Sequence, residues 1–349
     1  MARLGGVRAF TRARTRTLFT IGVTATALGA LVAGCGSQSA SNAPAKQANG
    51  GYSFSVLEST PGFFDLPLRV AVDQFAPQHH LKLKILTVNG GGSLATEFEG
   101  GTGSVAMVGV DSPMRLAAQN SVDGGITIIG TNMTNMLYAV VAKAGSKYHS
   151  LADLAGVPVA VTGAGSASQT LYDWAMATKQ HASSSQIKTV PLGSPPTILA
   201  GVQQGRVAAG TVFSPALDEG LADHSVQIVF DFRNYPYAQN VFMARTKEVE
   251  ADSQPYKLFM QAYNQAVNKI ESDPAFALSA AQKYWGQGTS PSILKSELDF
   301  YVNKEWKSTA FTQQLYDQSK AALLASGSGF SSQTFPTYED VTEHAPKLG

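Results

Sequence analysis

The chain has 349 residues, 44% of them hydrophobic and 15% charged, enough to bury a real core and long enough for two domains or lobes. Its formal charge is +1, yet Arg3, Arg8, Arg12, Arg14 and Arg16 fall in the first 34 positions without one acid; the remainder sets 21 basic against 25 acidic side chains. A mildly acidic body lacks the phosphate-neutralising surface of a nucleic-acid binder, and a single cysteine, Cys35, excludes an intramolecular disulfide and any multi-cysteine metal site.

The arginine-rich start and the apolar run over 18–33 read as an export signal, too short for the roughly 20 apolar residues of a membrane span. The run ends in Leu31-Val32-Ala33-Gly34-Cys35, which resembles the bacterial lipobox; the resemblance implies that Cys35 carries lipid and becomes the mature N-terminus. Residues 36–51 are small and polar, as in a flexible tether, so the body is expected to begin near Tyr52.

From there strands and helices alternate. Strands are expected over 52–57 and 81–88, with a helical stretch through Phe75 between them. A short helix near 94–99, a strand over 105–110, a helix opened by Asp111-Ser112-Pro113, and strands over 126–130 and 137–142 follow. The pattern restarts with a short helix at 150–156, a strand over 157–161 and a helix to Gln180. Strands at 187–190, 207–213 and 226–232 alternate with helices opened by Ser194-Pro195-Pro196 and Ser214-Pro215. A strand over 241–244 precedes a helical C-terminal part, in which Phe259, Ala262, Tyr263, Ala266, Val267 and Ile270 form one apolar stripe. Asp273-Pro274 and Ser290-Pro291 are helix starts, and the tail after Ser326 is polar and expected to be poorly ordered.

Two turns stand out, Asn89-Gly90-Gly91-Gly92-Ser93-Leu94 and Thr162-Gly163-Ala164-Gly165-Ser166-Ala167-Ser168. Each lies between a strand and a helix start, where unpaired N–H groups and the helix dipole favour an anionic or polar group. The second turn partly matches the dinucleotide fingerprint, but its third glycine is missing. No acid occurs between Asp173 and Asp218 to bind a ribose, so a nucleotide is set aside.

The segments Ser150-Leu151-Ala152-Asp153-Leu154-Ala155-Gly156, Gly163 to Ser168, Gly205-Arg206-Val207-Ala208-Ala209 and Phe213-Ser214-Pro215 resemble the substrate-binding proteins of bacterial ABC importers for nitrate, taurine, alkanesulfonates and thiamine-pyrimidine precursors. One departure is Ala208, where that group usually has aspartate. The resemblance implies an α/β, two-lobed type II periplasmic-binding fold: each lobe is a mostly parallel sheet flanked by helices, with helices at the C-terminus. Residues 52–139 and 240–326 would form lobe 1, residues 140–239 lobe 2 and 327–349 a polar tail. The chain would cross between lobes at 140–143 and 234–239.

It further implies a monomeric receptor in the periplasm or on the outer face of the cytoplasmic membrane. The receptor would be held by its N-terminal lipid, need no cofactor or metal, and deliver a small-molecule ligand to a permease. The ligand would be a sulfonate, a taurine-like zwitterion or another oxyanion; the alternatives are a thiamine-pyrimidine precursor or other heteroaromatic compound, or an enzyme or sensor on the same scaffold. The six histidines are scattered without metal spacing and no nucleophile elbow occurs, which disfavours catalysis. Candidate ligand contacts at turns and strand ends are Gly92, Ser93, Gly165, Ser166, Ala167, Ser168, Asp111, Ser112, Asn132, Ser194 and Phe213, with Tyr237 at the crossing. Phe63 and Phe64 could line an apolar pocket or belong to the core. Asp111 could cap a helix or bind a cationic or donor group. No arginine lies in the two turns, so a fully charged ligand would depend on N–H groups and hydroxyls, or on Arg115 or Arg233 from nearby.

Overall fold

The computed structural model describes residues 43–348 apart from 60, 89 and 328. The export signal, the lipobox and Cys35 lie outside the described residues.

Two mixed sheets organise the chain. The first has the order β3 (Leu81–Thr87), β2 (Tyr52–Glu58), β4 (Val105–Val108), β11 (Pro236–Arg245), β5 (Ile126–Asn135), with β1 (Ala45–Lys46) antiparallel on β2. The second has the order β10 (Val226–Asp231), β6 (Ala139–Lys143), β9 (Ala209–Val212), β7 (Pro158–Val161), β8 (Lys188–Pro191). Each sheet with its helices forms one lobe. Apart from the short β1, one strand in each sheet runs against the rest: β11 is antiparallel to β4 and β5, and β6 to β9 and β10. These are the two strands that arrive from the opposite lobe. The other strands end facing that lobe, so a chain entering from it must run the other way.

The crossings occupy 136–138 and 232–235, earlier than the expected 140–143 and 234–239, because Val140 to Lys143 already pair within β6 and Pro236 already pairs with Asn135. The crossing segments bind each other: the Met136 N–H donates to Tyr235 O at 2.9 Å and the Phe232 N–H to Tyr138 O at 3.1 Å. Continuous β-favouring sequence hid where one sheet ends and the next begins.

Helices in chain order are α1 (Leu66–Val70), α2 (Gly91–Glu99), α3 (Asp111–Gln119), α4 (Ala167–Lys179), α5 (Pro195–Gln203), α6 (Ala216–Ala222) and α7 (Thr246–Ala251). They continue with α8 (Gln254–Ser272), α9 (Pro274–Trp285), α10 (Pro291–Lys304), α11 (Gln313–Ala325) and α12 (Tyr338–Thr342). The stripe read on α8 is wholly buried, and its Tyr263 and Phe259 rings meet Phe242 of β11 edge-on at 4.7 and 5.2 Å. Asp273 and Ser290 cap α9 and α10 by accepting from the N–H groups of Phe276 and Ile293, as their sequence pattern demands.

Both ends differ from expectation. The body begins before Tyr52, since Ala45 and Lys46 pair with Ser53 and Tyr52. The tail is docked: Val341 of α12 is fully buried, Phe335 is 8% exposed, the Tyr316 hydroxyl donates to Pro336 O, and Phe330 lies under the Arg115 guanidinium at 4.6 Å. A few apolar residues spaced among polar ones were enough to anchor it.

Candidate functional site

A cleft of about 50 Å³ lies where the carboxyl ends of strands from both sheets meet. The first lobe contributes Ser59 after β2, Phe64, Gly90 and Gly91 at the start of α2, Val108 and Gly109 after β4, and Asp111 and Ser112 opening α3. Opposite stand Thr162, Ser166 and Ala167 between β7 and α4, with Phe213 after β9; the crossing and β11 add Leu137, Tyr138, Gln239 and Asn240. Three helices of nine or more residues thus begin at the cleft, and their first-turn N–H groups and dipoles make this end electropositive. The strand-turn-helix order of the chain builds this: each strand runs up to the cleft and each helix starts there.

The two glycine-rich turns face one another. A Cβ placed on Gly92 would come 4.0 Å from Ala164 O, and Gly90 adopts φ +86, a conformation that favours glycine. In the second turn the hydroxyls are consumed locally. Thr162 N–H donates to Ser168 Oγ at 2.9 Å, Ser166 and Ser168 hydroxyls are 2.9 Å apart, and Ser166 Oγ–H donates to Gly163 O at 2.7 Å. With Thr162 Oγ1 also 2.9 Å from Ser168 Oγ, the protons run in one direction along this chain. The hydroxyls stiffen the turn and leave mainly lone pairs for a ligand.

Asp111 is the charged side chain of the lining. It is 3% exposed and its Oδ1 has no hydrogen-bond partner. The carboxylate lies against Gly109, where a Cβ would come within 2.5 Å of Oδ1 and 3.3 Å of Ala167 Cβ from the other lobe. Glycine at 109 therefore makes the room in which the carboxylate sits. Burial pushes its pKa up to about 6, against the lowering influence of Arg115 one helical turn on. A buried acceptor without a partner is costly, and this one lies in the lining of the cleft. Aromatic rings close the other side: Phe213 meets Phe64 at 5.7 Å and Tyr138 at 5.4 Å, both edge-on.

Of the residues singled out in the sequence, Phe64, Asp111, Ser112, Ser166, Ala167 and Phe213 lie in the lining. Gly92 and Ser93 are exposed on α2 next to it, and Gly165 is exposed with its N–H donated to Gln169 Oε1 at 2.9 Å. Ser168 is buried inside the turn network. Phe63 stacks in the core among Trp285, Tyr301 and Trp306, with ring centroids 5.5 to 6.5 Å apart. Asn132 is engaged behind the lining: it donates to Phe64 O at 3.3 Å and accepts from the Tyr263 hydroxyl at 2.6 Å. Ser194 opens α5 with its hydroxyl 3.0 Å from Thr197 Oγ1. Tyr237 is wholly buried behind Asp111, with its hydroxyl unpartnered; burial and then the Asp111 charge push its pKa well up.

Arg233 is held in a fork by Asp231, at 2.9 and 2.8 Å. Tyr138, Gln239 and Asn240 had no motif to announce them: Tyr138 fell in an expected strand, Gln239 in the expected crossing and Asn240 just before an expected strand, whereas Gln239 and Asn240 both lie on β11. Gly109 could have been noticed as the small residue before Asp111. Among the described residues no group of three potential ligands could hold a metal ion, and no helix is long and apolar enough to cross a membrane.

The family model described as NMT1/THI5 like matches residues 78–277. A protein of Bordetella bronchiseptica RB50 superposes with a TM-score of 0.73 at 17% identity, over 84% of this chain and 95% of that one. The alkanesulfonate-binding protein SsuA of Xanthomonas axonopodis pv. citri, bound to MOPS, gives 0.66 at 17% identity over 82% and 94%. The periplasmic nitrate-binding protein NrtA of Synechocystis PCC 6803 gives 0.65 at 13% identity over 87% and 88%. No curated protein sequence matches the chain. With the model covering more than half of its length and the two-lobed architecture shared, the chain belongs to the NMT1/THI5-like family and has the periplasmic-binding-protein fold.

Proposed function

We propose that the chain is an extracytoplasmic solute receptor of an ABC importer, a monomer tethered by lipid on Cys35, that binds rather than transforms a small polar solute and presents it to a permease. The names of the alkanesulfonate- and nitrate-binding neighbours and the position of the cleft at facing strand ends support this reading. Its size supports lobe motion, for about 50 Å³ is far below the roughly 300–1,000 Å³ usual for ligand clefts, so an organic solute enters when the lobes part.

The observation that carries the choice of solute is the unpartnered Asp111 Oδ1 beside three helix N-termini. A bare oxyanion would suit the helix ends and be repelled by the carboxylate. A taurine-like zwitterion suits both, its ammonium on Asp111 and its sulfonate on the N–H groups of Gly91 or Ala167. The rings of Phe64, Tyr138 and Phe213 favour a second reading, an amino-substituted heteroaromatic compound whose ring lies on this wall.

Thermal shifts with taurine, nitrate and an aminopyrimidine separate the readings, since a ligand present at 100 times its Kd stabilises by about 2.7 kcal/mol. Taurine should raise the melting temperature and Asp111→Asn should abolish the rise. A shift with nitrate that the substitution leaves intact would refute the role given to Asp111. Mass spectrometry of the mature N-terminus tests the anchor: an unmodified Cys35, or cleavage elsewhere, would exclude it.

A further inference from the structure

We infer that Gln239 selects the solute: its side-chain amide donates to an acidic oxygen of the bound molecule, and a break in the pairing of β11 puts it there. An unbroken strand sends neighbouring side chains to opposite faces, yet Gln239 and Asn240 both line the cleft. The register against β5 explains this. Pro236 faces Asn135 and Asn240 faces Met133, so Tyr237, Ala238 and Gln239 stand where β5 supplies only Thr134. Next, Val241 faces Thr131, which leaves Asn132 as the extra residue on the other strand. Such bulges bend a strand and re-aim its side chains. The helix α11 holds this one from behind: the Ala238 N–H donates to Ser319 Oγ at 3.0 Å, and that hydroxyl donates in turn to Leu315 O at 2.8 Å.

Hydrogen bonding then orients the amide. Gln239 is 1% exposed, and its Oε1 accepts from the Leu137 N–H at 3.1 Å. A main-chain N–H can only donate, so the oxygen must face Leu137 and Nε2 points away from it. Among the described residues Nε2 has no partner, and it is not one of the unpartnered atoms sealed from solvent; the space that Gln239 borders is the cleft. Asp111 lies close by, since a Cβ on Gly109 would stand 2.5 Å from Asp111 Oδ1 and 3.6 Å from Gln239 O. N–H groups held in a confined site without an acceptor are costly, and a sulfonate or carboxylate oxygen satisfies them. Resting on the receptor reading above, the cleft then reads both ends of the solute: Asp111 accepts from the ammonium and Gln239 donates to the acid. A neutral donor suits this place. An arginine here would pair with Asp111 and take the position of the ammonium.

Titration calorimetry with taurine, nitrate and an aminopyrimidine tests the assignment. The wild type should bind taurine. Gln239→Glu keeps an acceptor for Leu137 but loses both donors, and at about pH 8 it should bind taurine about 10- to 100-fold more weakly, the loss expected for a hydrogen bond to a charged group. Gln239→Met adds no charge, should show the same loss, and serves if a buried carboxylate unfolds the chain; ligand-free melting curves establish that each variant is folded. If nitrate binds, both substitutions should weaken it likewise, because its oxygens can only accept. Affinity for taurine or nitrate unchanged by either substitution would overturn the role of Gln239 and leave the receptor reading standing. Binding of the aminopyrimidine alone would do the same, since that solute carries no acidic oxygen. A wild type that binds none of the three would count against the choice of solute itself, and the role of Gln239 falls with it.

Discussion

Glu305 is a buried acid at the base of the hinge. It is fully buried, its Oε2 accepts from the Asn135 N–H at 3.0 Å, and Asn135 is the last residue of β5 before the crossing. Burial pushes its pKa from 4.5 to about 8, outweighing the hydrogen bonds from Asn135 and Thr134. A carboxyl held above its unfolded value stabilises the fold while protonated. That stabilisation is complete below about pH 4.5 and is lost as pH rises through about 8. At about 1.4 kcal/mol per pH unit, the gap is worth on the order of 4 to 5 kcal/mol once fully expressed. Glu305→Gln keeps an acceptor for Asn135 and cannot ionise. It should match the wild type in urea unfolding near pH 4.5 and gain several kcal/mol over it near pH 9, with unchanged m. Parallel stability curves for the two chains across this range would refute the reasoning.

Gly210 of β9 lies under α5, and a Cβ there would collide with Ile198 Cγ2 and sit 3.3 Å from Ala160 Cβ; Gly210→Ala should cost about 1–3 kcal/mol in unfolding free energy. Phe63→Ala should cost about 3–5 kcal/mol and leave the ranking of solutes in thermal-shift assays unchanged. Phe64→Ala should instead weaken solute binding, because that ring faces the cleft. Ending the chain after Ser326 removes the buried Phe335 and Val341, each worth roughly 1.5–3 kcal/mol, and should lower the melting temperature measurably.

How much of this could be read from residues alone follows from which forces are local. The alternation of strands and helices, the buried stripe of α8 and the caps at Asp273 and Ser290 depend on neighbours in sequence, and their patterns were legible. Asp111, Ser166 and Phe213 were placed at strand ends because a strand followed by a helix start announces its turn. The partners that complete the cleft do not: Tyr138, Gln239 and Asn240 reach it through the crossing of two strands whose pairing is set by residues over a hundred positions away. Phe63 and Phe64 are adjacent in sequence, yet one packs among Trp285, Tyr301 and Trp306 and the other faces Phe213. Only packing decides between them. Ser168 was read as a ligand group because its type suits one, and its hydroxyl is spent on Thr162 and Ser166.

The two crossings are joined to each other by main-chain hydrogen bonds, Met136 to Tyr235 and Phe232 to Tyr138, and this has a mechanical consequence. Two independent linkers would let the halves slide, twist and rock separately. A laced ribbon holds its rails at constant spacing and bends far more readily across its plane than within it. The lobe opening proposed above would then be described by one angle, and any single distance spanning the ribbon's ends would report the whole of it.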